Sequence, residues 1–281
     1  MNINRISAFS YNNIGGNPAG VVICDKFPSD NEMLTTAKEV GYSETAFLIK
    51  HNNGWRIRYF APELEIPFCG HATIASTAVL GKNFGEGNYK LFLNEGDIAV
   101  SVCKSKKEIY TSTLQSPKTH TEEVSNTYVN EILSEFNLSN EDVNPNFPIH
   151  FSFAGAKHII IVLNEHNKLQ TMHYNFDSLK NIMKKENLTT VSLLWQESIN
   201  IFHSRNPFPS GGVYEDAATG AAAAALAGYL RDIQYKGNNY FEIIQGEDMG
   251  CPSRLLVEYT DEIGSSIKVS GETREILEEK C

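Results

Sequence analysis

Two segments composed almost entirely of small and apolar residues constrain this chain more than any other feature. The first covers residues 72–80 and is followed by Gly81, and the second covers residues 219–230 and contains a run of alanines. A helix that is apolar or small on every side is a buried helix, because it has no face to present to water. The sequence therefore predicts two central helices, one in each half of the chain.

The segments around these helices are rich in β-branched and aromatic residues and are bounded by Gly, Asn or Pro, which is typical of short strands. We predict strands at residues 3–9, 21–24, 45–50, 55–60, 89–93, 98–103, 108–114, 150–153, 158–163, 191–195, 198–203, 240–244, 253–259 and 267–269. Surface helices are predicted at residues 30–40, 127–136 and 176–186. The predicted fold class is α+β, with a sheet or barrel wrapped around each central helix.

The two halves repeat one plan. Arg58 and Pro62 lie four residues apart, as do Arg205 and Pro209, and each pair precedes a short acidic segment, a tight turn and a predicted buried helix. The pattern indicates two pseudo-equivalent domains rather than two unrelated ones.

A polar segment at residues 115–126, nearly free of apolar anchors, marks the boundary between these domains. We predict domains at residues 1–116 and 117–281, with the tail after about residue 270 able to pack back on the first domain.

Charge and cysteine content exclude several classes of protein. Among 281 residues, 24 Lys and Arg against 34 Asp and Glu give a net charge of −10, which argues against a nucleic-acid partner or an anionic membrane. Five cysteines without CxxC spacing predict neither a disulfide framework nor a zinc site, and favour a cytoplasmic location. We expect no signal peptide, no membrane span, no metal and no cofactor, since nucleotide-binding, hydrolase and zinc-protease motifs are absent.

The turn before the first central helix, Cys69-Gly70-His71-Ala72-Thr73, is the first candidate site. The N–H groups of a helix N-terminus bind carboxylate or phosphate, Gly70 permits close approach of a ligand, and His71 can donate a proton. A tight turn with a satisfied histidine explains the segment equally well. We expect the side chains of Cys69 and His71, two residues apart around this turn, not to face each other.

Two acidic positions complete the candidates. Asp216 precedes the second central helix, where a capping role is by itself the better explanation. Glu44 enters an apolar strand, where burial can raise the pKa of a carboxyl group into the range of a general base. A solvated residue at a strand end is the alternative for Glu44, and for an isolated glutamate it is favoured.

Six stretches, in this order and spacing, resemble the PhzF-type, phenazine-biosynthesis-like family of the diaminopimelate-epimerase-like superfamily. They are GNPAG at 16–20, SETAF at 43–47, RYFAP at 58–62, CGHAT at 69–73, GVYEDAATG at 212–220, and Gln245-Gly246 through Gly250 to Pro252-Ser253. The resemblance implies the diaminopimelate-epimerase-like fold. It also implies a cofactor-independent isomerase of a small carboxylated metabolite, with its site in the interdomain cleft and often a homodimer.

Residue by residue, the resemblance implies Glu44 as the general acid/base that moves a proton between carbons, with His71 and Asp216 binding and polarising the substrate. Main-chain N–H groups at the two helix ends would hold a substrate carboxylate. The substrate-binding positions are Asn17, Gly70, Ala72, Gly220 and Ala221.

The epimerases of this superfamily use one cysteine from each domain. Here Cys69 lies in the first turn and Ala217 is assigned as its counterpart, which excludes a two-thiol mechanism and favours a one-base shift through Glu44. Two-base mechanisms in which Asp216 or Cys69 acts together with Glu44 remain possible alternatives. Two other functions also remain: a two-base racemase or epimerase, and a non-catalytic binding protein of the same fold. Ala221 replaces a common serine, and Asn206-Pro207 replaces an aromatic residue, so the resemblance does not identify the substrate.

Overall fold

A computed structural model describes residues 1–94 and 96–277 of the chain. By its internal contacts the chain divides into two units. The first consists of Met1–Gln115 together with the described residues from Val269 onward, and the second of Ser116–Lys268.

The described residues form 17 strands and six α-helices. The strands are β1 (Asn4–Ser10), β2 (Asn17–Cys24), β3 (Thr45–His51), β4 (Gly54–Phe60), β5 (Glu65–Ile66), β6 (Gly87–Phe92), β7 (Asp97–Lys104), β8 (Tyr110–Gln115), β9 (His120–Glu123), β10 (His150–Phe153), β11 (Lys157–Leu163), β12 (Thr190–Ser198), β13 (Ile201–Pro207), β14 (Glu215–Asp216), β15 (Tyr240–Gln245), β16 (Ser253–Glu258) and β17 (Lys268–Glu275). The helices are α1 (Asp30–Val40), α2 (Gly70–Phe84), α3 (Asn126–Glu135), α4 (His166–Gln170), α5 (Phe176–Lys185) and α6 (Gly220–Asp232).

The first unit is a ring of strands around α2. Along the ring, β1 pairs with β2 antiparallel, β2 with β3 parallel, β3 with β4 antiparallel and β4 with β6 parallel. Antiparallel pairs then join β6, β7 and β8, and β17 closes the ring between β8 and β1. Helix α2 packs against β1, β2, β3, β7 and β8, so it fills the interior of this barrel.

Helix α2 is buried over its first twelve residues, as the absence of a polar face predicts. The prediction that it ends at Gly81 is wrong, because the helix continues to Phe84 and its C-cap is Gly85. A Cβ atom at Gly81 would lie 2.7 Å from the side chain of Val102 on β7. Gly81 therefore serves close packing of helix on strand, not termination.

The second unit repeats the pairing pattern of the first around α6. Here β10–β11 is antiparallel, β11–β12 parallel, β12–β13 antiparallel, β13–β15 parallel and β15–β16 antiparallel. In both units a two-residue strand, β5 or β14, precedes the central helix. The predicted α+β class, with two similar halves built on central helices, is confirmed.

Two further features of the sheet were not predicted. Strand β9 lies within the polar segment at 115–126 and pairs with β10. Strand β17 extends to Glu275, since alternate residues are buried where it lies between β1 and β8.

No helix among the described residues is long and apolar enough to cross a membrane.

Candidate active site

Glu44 lies directly before β3 in the first unit and is only 8% exposed. Its carbonyl oxygen accepts a hydrogen bond from the N–H of Gly20 on β2, which anchors the main chain at this point. The loop leading to it leaves α1 through Gly41, whose φ of 72° is left-handed. Glu44 is therefore a buried carboxylate held by the sheet, not the solvated strand-end residue of the alternative reading.

His71, in the first turn of α2, lies against this carboxylate. Its Nε2 atom is 3.2 Å from Oε2 of Glu44 and 3.4 Å from Oγ of Ser43, and the imidazole is 6% exposed. The structure thus brings together two residues 27 positions apart that the sequence predicts for one site.

Cys69 also contacts His71, contrary to the expectation that these side chains do not face each other. Its Sγ atom is 3.4 Å from Nδ1 of the imidazole. The reason is local: Cys69 is the N-cap of α2, with φ −141° and ψ 118°, whereas His71 is already helical. The change from extended to helical backbone folds the thiol back over the first turn.

The charges in this cluster favour an ion pair. Burial raises the pKa of the Glu44 carboxyl, but His71, Ser43 and Cys69 outweigh it, so the pKa lies below its usual range. Burial lowers the pKa of His71, yet contacts with Cys69 and Glu44 prevail and hold that pKa well above 6.5. Burial and the Glu44 charge raise the pKa of the Cys69 thiol. At neutral pH the cluster is thus a carboxylate, an imidazolium and a neutral thiol.

The same three residues could also hold a metal ion, since Glu44, Cys69 and His71 offer donor atoms within 4.8 Å of one another. Carboxylate, thiolate and imidazole are all ligands of zinc. A metal would require loss of the protons that the thiol and imidazolium carry at neutral pH. The expectation that the site uses no metal remains a prediction.

Asp216, in the second unit, belongs to a hydrogen-bonded turn before α6. Its Oδ2 accepts the hydroxyl proton of Thr219 at 2.6 Å, and its carbonyl oxygen accepts a hydrogen bond from Nε2 of Gln245 at 2.7 Å. Gln245 was not among the predicted site residues, because it lies on β15, far along the chain from the turn it holds. Its only sequence signal was its place in one of the family-like stretches.

The assignment of Ala217 as the counterpart of Cys69 is wrong, as a comparison of equivalent positions in the two units shows. Arg58 bonds Glu65 at the start of β5, and Arg205 bonds Glu215 at the start of β14. Cys69 follows Glu65 by four residues and Thr219 follows Glu215 by four, and each is the N-cap of its central helix. The counterpart of Cys69 is therefore Thr219, whose hydroxyl group is no substitute for a second thiol.

The two central helices differ at their N-termini from α1, α3 and α5, whereas the five-residue α4 also lacks a side-chain cap. Ser29, Ser125 and Asn175 cap α1, α3 and α5 through their side chains. In the described chain, neither Cys69 nor Thr219 makes such a side-chain cap bond.

The predicted substrate-binding residues are distributed as follows. The first turns of α2 and α6 contain Gly70, Ala72, Gly220 and Ala221. Asn17 begins β2, three residues before the Gly20 that bonds to Glu44, and is 4% exposed. Their roles toward a substrate remain predictions.

Comparison with known proteins agrees with the fold. The sequence profile described as phenazine biosynthesis-like protein matches residues 6–278. A trans-2,3-dihydro-3-hydroxyanthranilate isomerase of Pseudomonas aeruginosa is 29% identical, covering 95% of this chain and 94% of that protein. The protein named Uncharacterized isomerase YddE of Escherichia coli (strain K12) is 30% identical over 80% of this chain and 77% of its own length.

A crystal structure of a PhzF-family phenazine biosynthesis protein from Bacillus anthracis superimposes with a TM-score of 0.86, at 19% identity, over 98% of this chain and 96% of that one. Fold and relatives together define an enzyme of the isomerase class. The chain belongs to the phenazine biosynthesis-like protein family.

Proposed function

We propose that this enzyme is a cofactor-independent isomerase that moves a proton between carbons of a small carboxylated metabolite, with Glu44 as general acid/base. The observation that carries the proposal is the buried contact at 3.2 Å between the carboxylate of Glu44 and Nε2 of His71. A base must be ionised before it can accept a proton, and this contact keeps Glu44 ionised in spite of its burial.

In the proposed reaction Glu44 removes a proton from a carbon next to an electron-withdrawing group. The C–H electron pair passes into the substrate's conjugated system, and the negative charge collects on an oxygen of the substrate. The positive charge of the His71 imidazolium, which lies beside Glu44, stabilises that oxygen, as preorganised charges and dipoles do for charge that develops in a transition state. The protonated Glu44 then returns its proton to a conjugated carbon on the same face.

Geometry favours one base over the pair Glu44 and Cys69. The carboxylate oxygen and the thiol sulfur lie within 4.8 Å of each other and both contact His71. Inversion of a stereocentre needs acid/base groups on opposite faces of one carbon, and two groups that contact the same imidazole this closely approach a substrate from the same side. We therefore assign Cys69 to the support of His71.

Substrate binding is assigned to Asp216, to Asn17 and to the main-chain N–H groups at the start of α2 and α6. The absence of side-chain caps at these two helices supports the assignment, because the N-terminus of a helix favours an anion. With a net charge of −10, attraction for a carboxylate has to come from such local groups.

Isotope transfer in heavy water tests this function. The first compound in the screen is trans-2,3-dihydro-3-hydroxyanthranilate, which the name of the Pseudomonas aeruginosa relative specifies, followed by other small cyclic and amino-acid-derived carboxylates. A one-base shift predicts a rearranged product that retains part of the substrate hydrogen at the new carbon, detected by NMR. Incorporation of one solvent deuterium at an inverted stereocentre would establish two-base epimerisation instead, and binding without turnover of any compound would favour the non-catalytic alternative.

The pH dependence follows from the ion pair. Because Glu44 has a pKa below 4.5 and His71 a pKa well above 6.5, kcat/KM is expected to be flat across neutral pH. Activity falls at low pH as Glu44 takes up a proton, and at high pH as His71 loses one; both limbs belong to the coupled pair. In His71→Gln, burial of Glu44 is no longer offset by a cation, so the acid limb moves to higher pH. An acid limb at the same pH in this variant would show that His71 does not control Glu44.

A further inference from the structure

Gln245 bonds three groups of the turn at residues 216–219, although it lies 26 or more positions further along the chain. Its Nε2 atom donates to the carbonyl oxygen of Asp216 at 2.7 Å and to Oγ1 of Thr219 at 3.1 Å. Its Oε1 atom accepts from the N–H of Thr219 at 3.2 Å. Gln245 is the last residue of β15 and is only 2% exposed. One buried amide therefore ties a strand of the sheet to the turn that begins α6.

Only an amide satisfies this turn. The N–H of Thr219 needs an acceptor, whereas the carbonyl oxygen of Asp216 needs a donor, and a glutamine side chain offers both. A glutamate would keep the acceptor and lose the donor, and an apolar side chain would leave buried polar groups of the turn unpaired. The choice of residue is thus explained by hydrogen bonding and not by size.

The next residue packs against the same turn. Gly246 has a φ of 77°, and a Cβ atom placed there would lie 2.8 Å from the carbonyl oxygen of Ala217 and 2.4 Å from that of Cys251. No side chain fits at that distance, so the main chain after Gln245 runs directly along the turn. The Gln245-Gly246 pair thereby determines where residues 216–219 lie.

The hydrogen bonds of Gln245 extend through Thr219 to the side chain of Asp216, which we assign to substrate binding. Thr219, held by Gln245 at both its N–H and its hydroxyl oxygen, donates its own hydroxyl proton to Oδ2 of Asp216 at 2.6 Å. The orientation of the Asp216 carboxylate therefore depends on Gln245 through Thr219. We propose that Gln245 is a positioning residue that sets the Asp216 carboxylate and the first turn of α6 for substrate binding. The proposal rests on the assignment of Asp216 in the proposed function.

The test compares Gln245→Leu and Gln245→Glu with Gln196→Leu as a matched control. The amide of Gln196 donates to the hydroxyl of Tyr235, within the same unit but away from the turn at 216–219. Three measurements are made on the full chain: hydrogen exchange at the N–H of Thr219, kcat and KM with the compound identified in the isotope screen, and thermal stability. Gln245→Glu keeps nearly the shape of glutamine, so it serves as the folded variant if Gln245→Leu does not fold.

Loss of the amide is expected to lower kcat/KM on the order of 10- to 100-fold, mainly through KM, because two or three hydrogen bonds are lost. Exchange at Thr219 should accelerate in Gln245→Leu and stay unchanged in Gln196→Leu. Gln245→Leu combined with Asp216→Asn should be little worse than the more damaging single change, since contacting residues that act together are not additive.

Unchanged hydrogen exchange at Thr219 in Gln245→Leu would overturn the positioning role. So would a double variant whose loss of kcat/KM equals the product of the losses in Gln245→Leu and Asp216→Asn. These outcomes are separable from failure of the proposed function. If Asp216→Asn and Glu44→Gln both keep full activity, the proposed function is wrong. If Glu44→Gln is inactive while the Gln245 variants match Gln196→Leu, only the positioning role is wrong.

Discussion

Replacement of Glu44 by glutamine is expected to lower kcat by about 10²- to 10⁴-fold, the usual contribution of a positioned general acid or base. The amide has nearly the shape of the carboxylate and can still contact His71, so the fold should persist. It cannot accept a proton from carbon, and this is the step that the proposed mechanism requires. The measurement is kcat with the compound from the isotope screen, alongside circular dichroism and thermal unfolding.

Two companion variants sharpen the Glu44 test. Glu39→Gln removes an exposed carboxylate from α1 of the same unit and should keep full activity. Glu44→Asp keeps the carboxylate but withdraws it by one methylene from the substrate, so its activity should lie between those of the wild type and Glu44→Gln. A folded Glu44→Gln enzyme with wild-type kcat would refute the proposed role of Glu44.

Replacement of Glu215 by glutamine is expected to destabilise the second unit by about 3–5 kcal/mol, the cost of breaking a buried ion pair by removing one partner. Side-chain exposure is only 10% for Arg205 and 3% for Glu215, and Nε of Arg205 lies 3.0 Å from the carboxylate. The guanidinium keeps hydrogen bonds to the carbonyl oxygens of Gln170 at 3.0 Å and Leu169 at 3.5 Å, which do not neutralise its charge. Oδ2 of Asp248 lies 4.0 Å from Nε, too far to replace the hydrogen-bonded pair with Glu215. The free energy of unfolding is measured by urea titration, followed by a signal from Trp195, the tryptophan of this unit.

The first unit provides the matched control for this stability effect. Glu65→Gln removes the corresponding partner of Arg58, but these side chains are 25% and 18% exposed and Arg58 keeps an ion pair with Asp30. The expected cost is about 0–1 kcal/mol, as for other solvent-exposed pairs. Equal destabilisation by the two substitutions would contradict the argument that burial determines the difference.

Local sequence patterns were sufficient for much of the fold. The predicted helix at 30–40 coincides with α1, because Ser29 and Glu32 form a capping box and Gly41 ends the helix in the left-handed region. The predicted end of α2 at Gly81 was wrong, because a glycine that ends a helix and a glycine that allows close packing look the same in the sequence. Only the position of Val102 on β7 distinguishes them.

The candidate site also has features that the sequence predicts and features that only the structure shows. Glu44 and His71 were predicted together from family-like stretches, and the structure places their side chains in contact. The contact of Cys69 with His71 depends on the extended backbone of an N-cap residue, which the sequence does not report. Gln245 was missed because its contact with Asp216 spans 29 positions.

By itself, the sequence determined the types and places of the main elements, the burial of two central helices and the residue types available for proton transfer. These follow from composition and periodicity, which reflect the local preference of each segment for water or for a core. Only the tertiary structure decided that β17 closes the barrel of the first unit, that Thr219 is the counterpart of Cys69 and that Gln245 holds Asp216. Each depends on strand register and on side chains distant in the chain, because long-range contacts are selected by the packing of the whole unit.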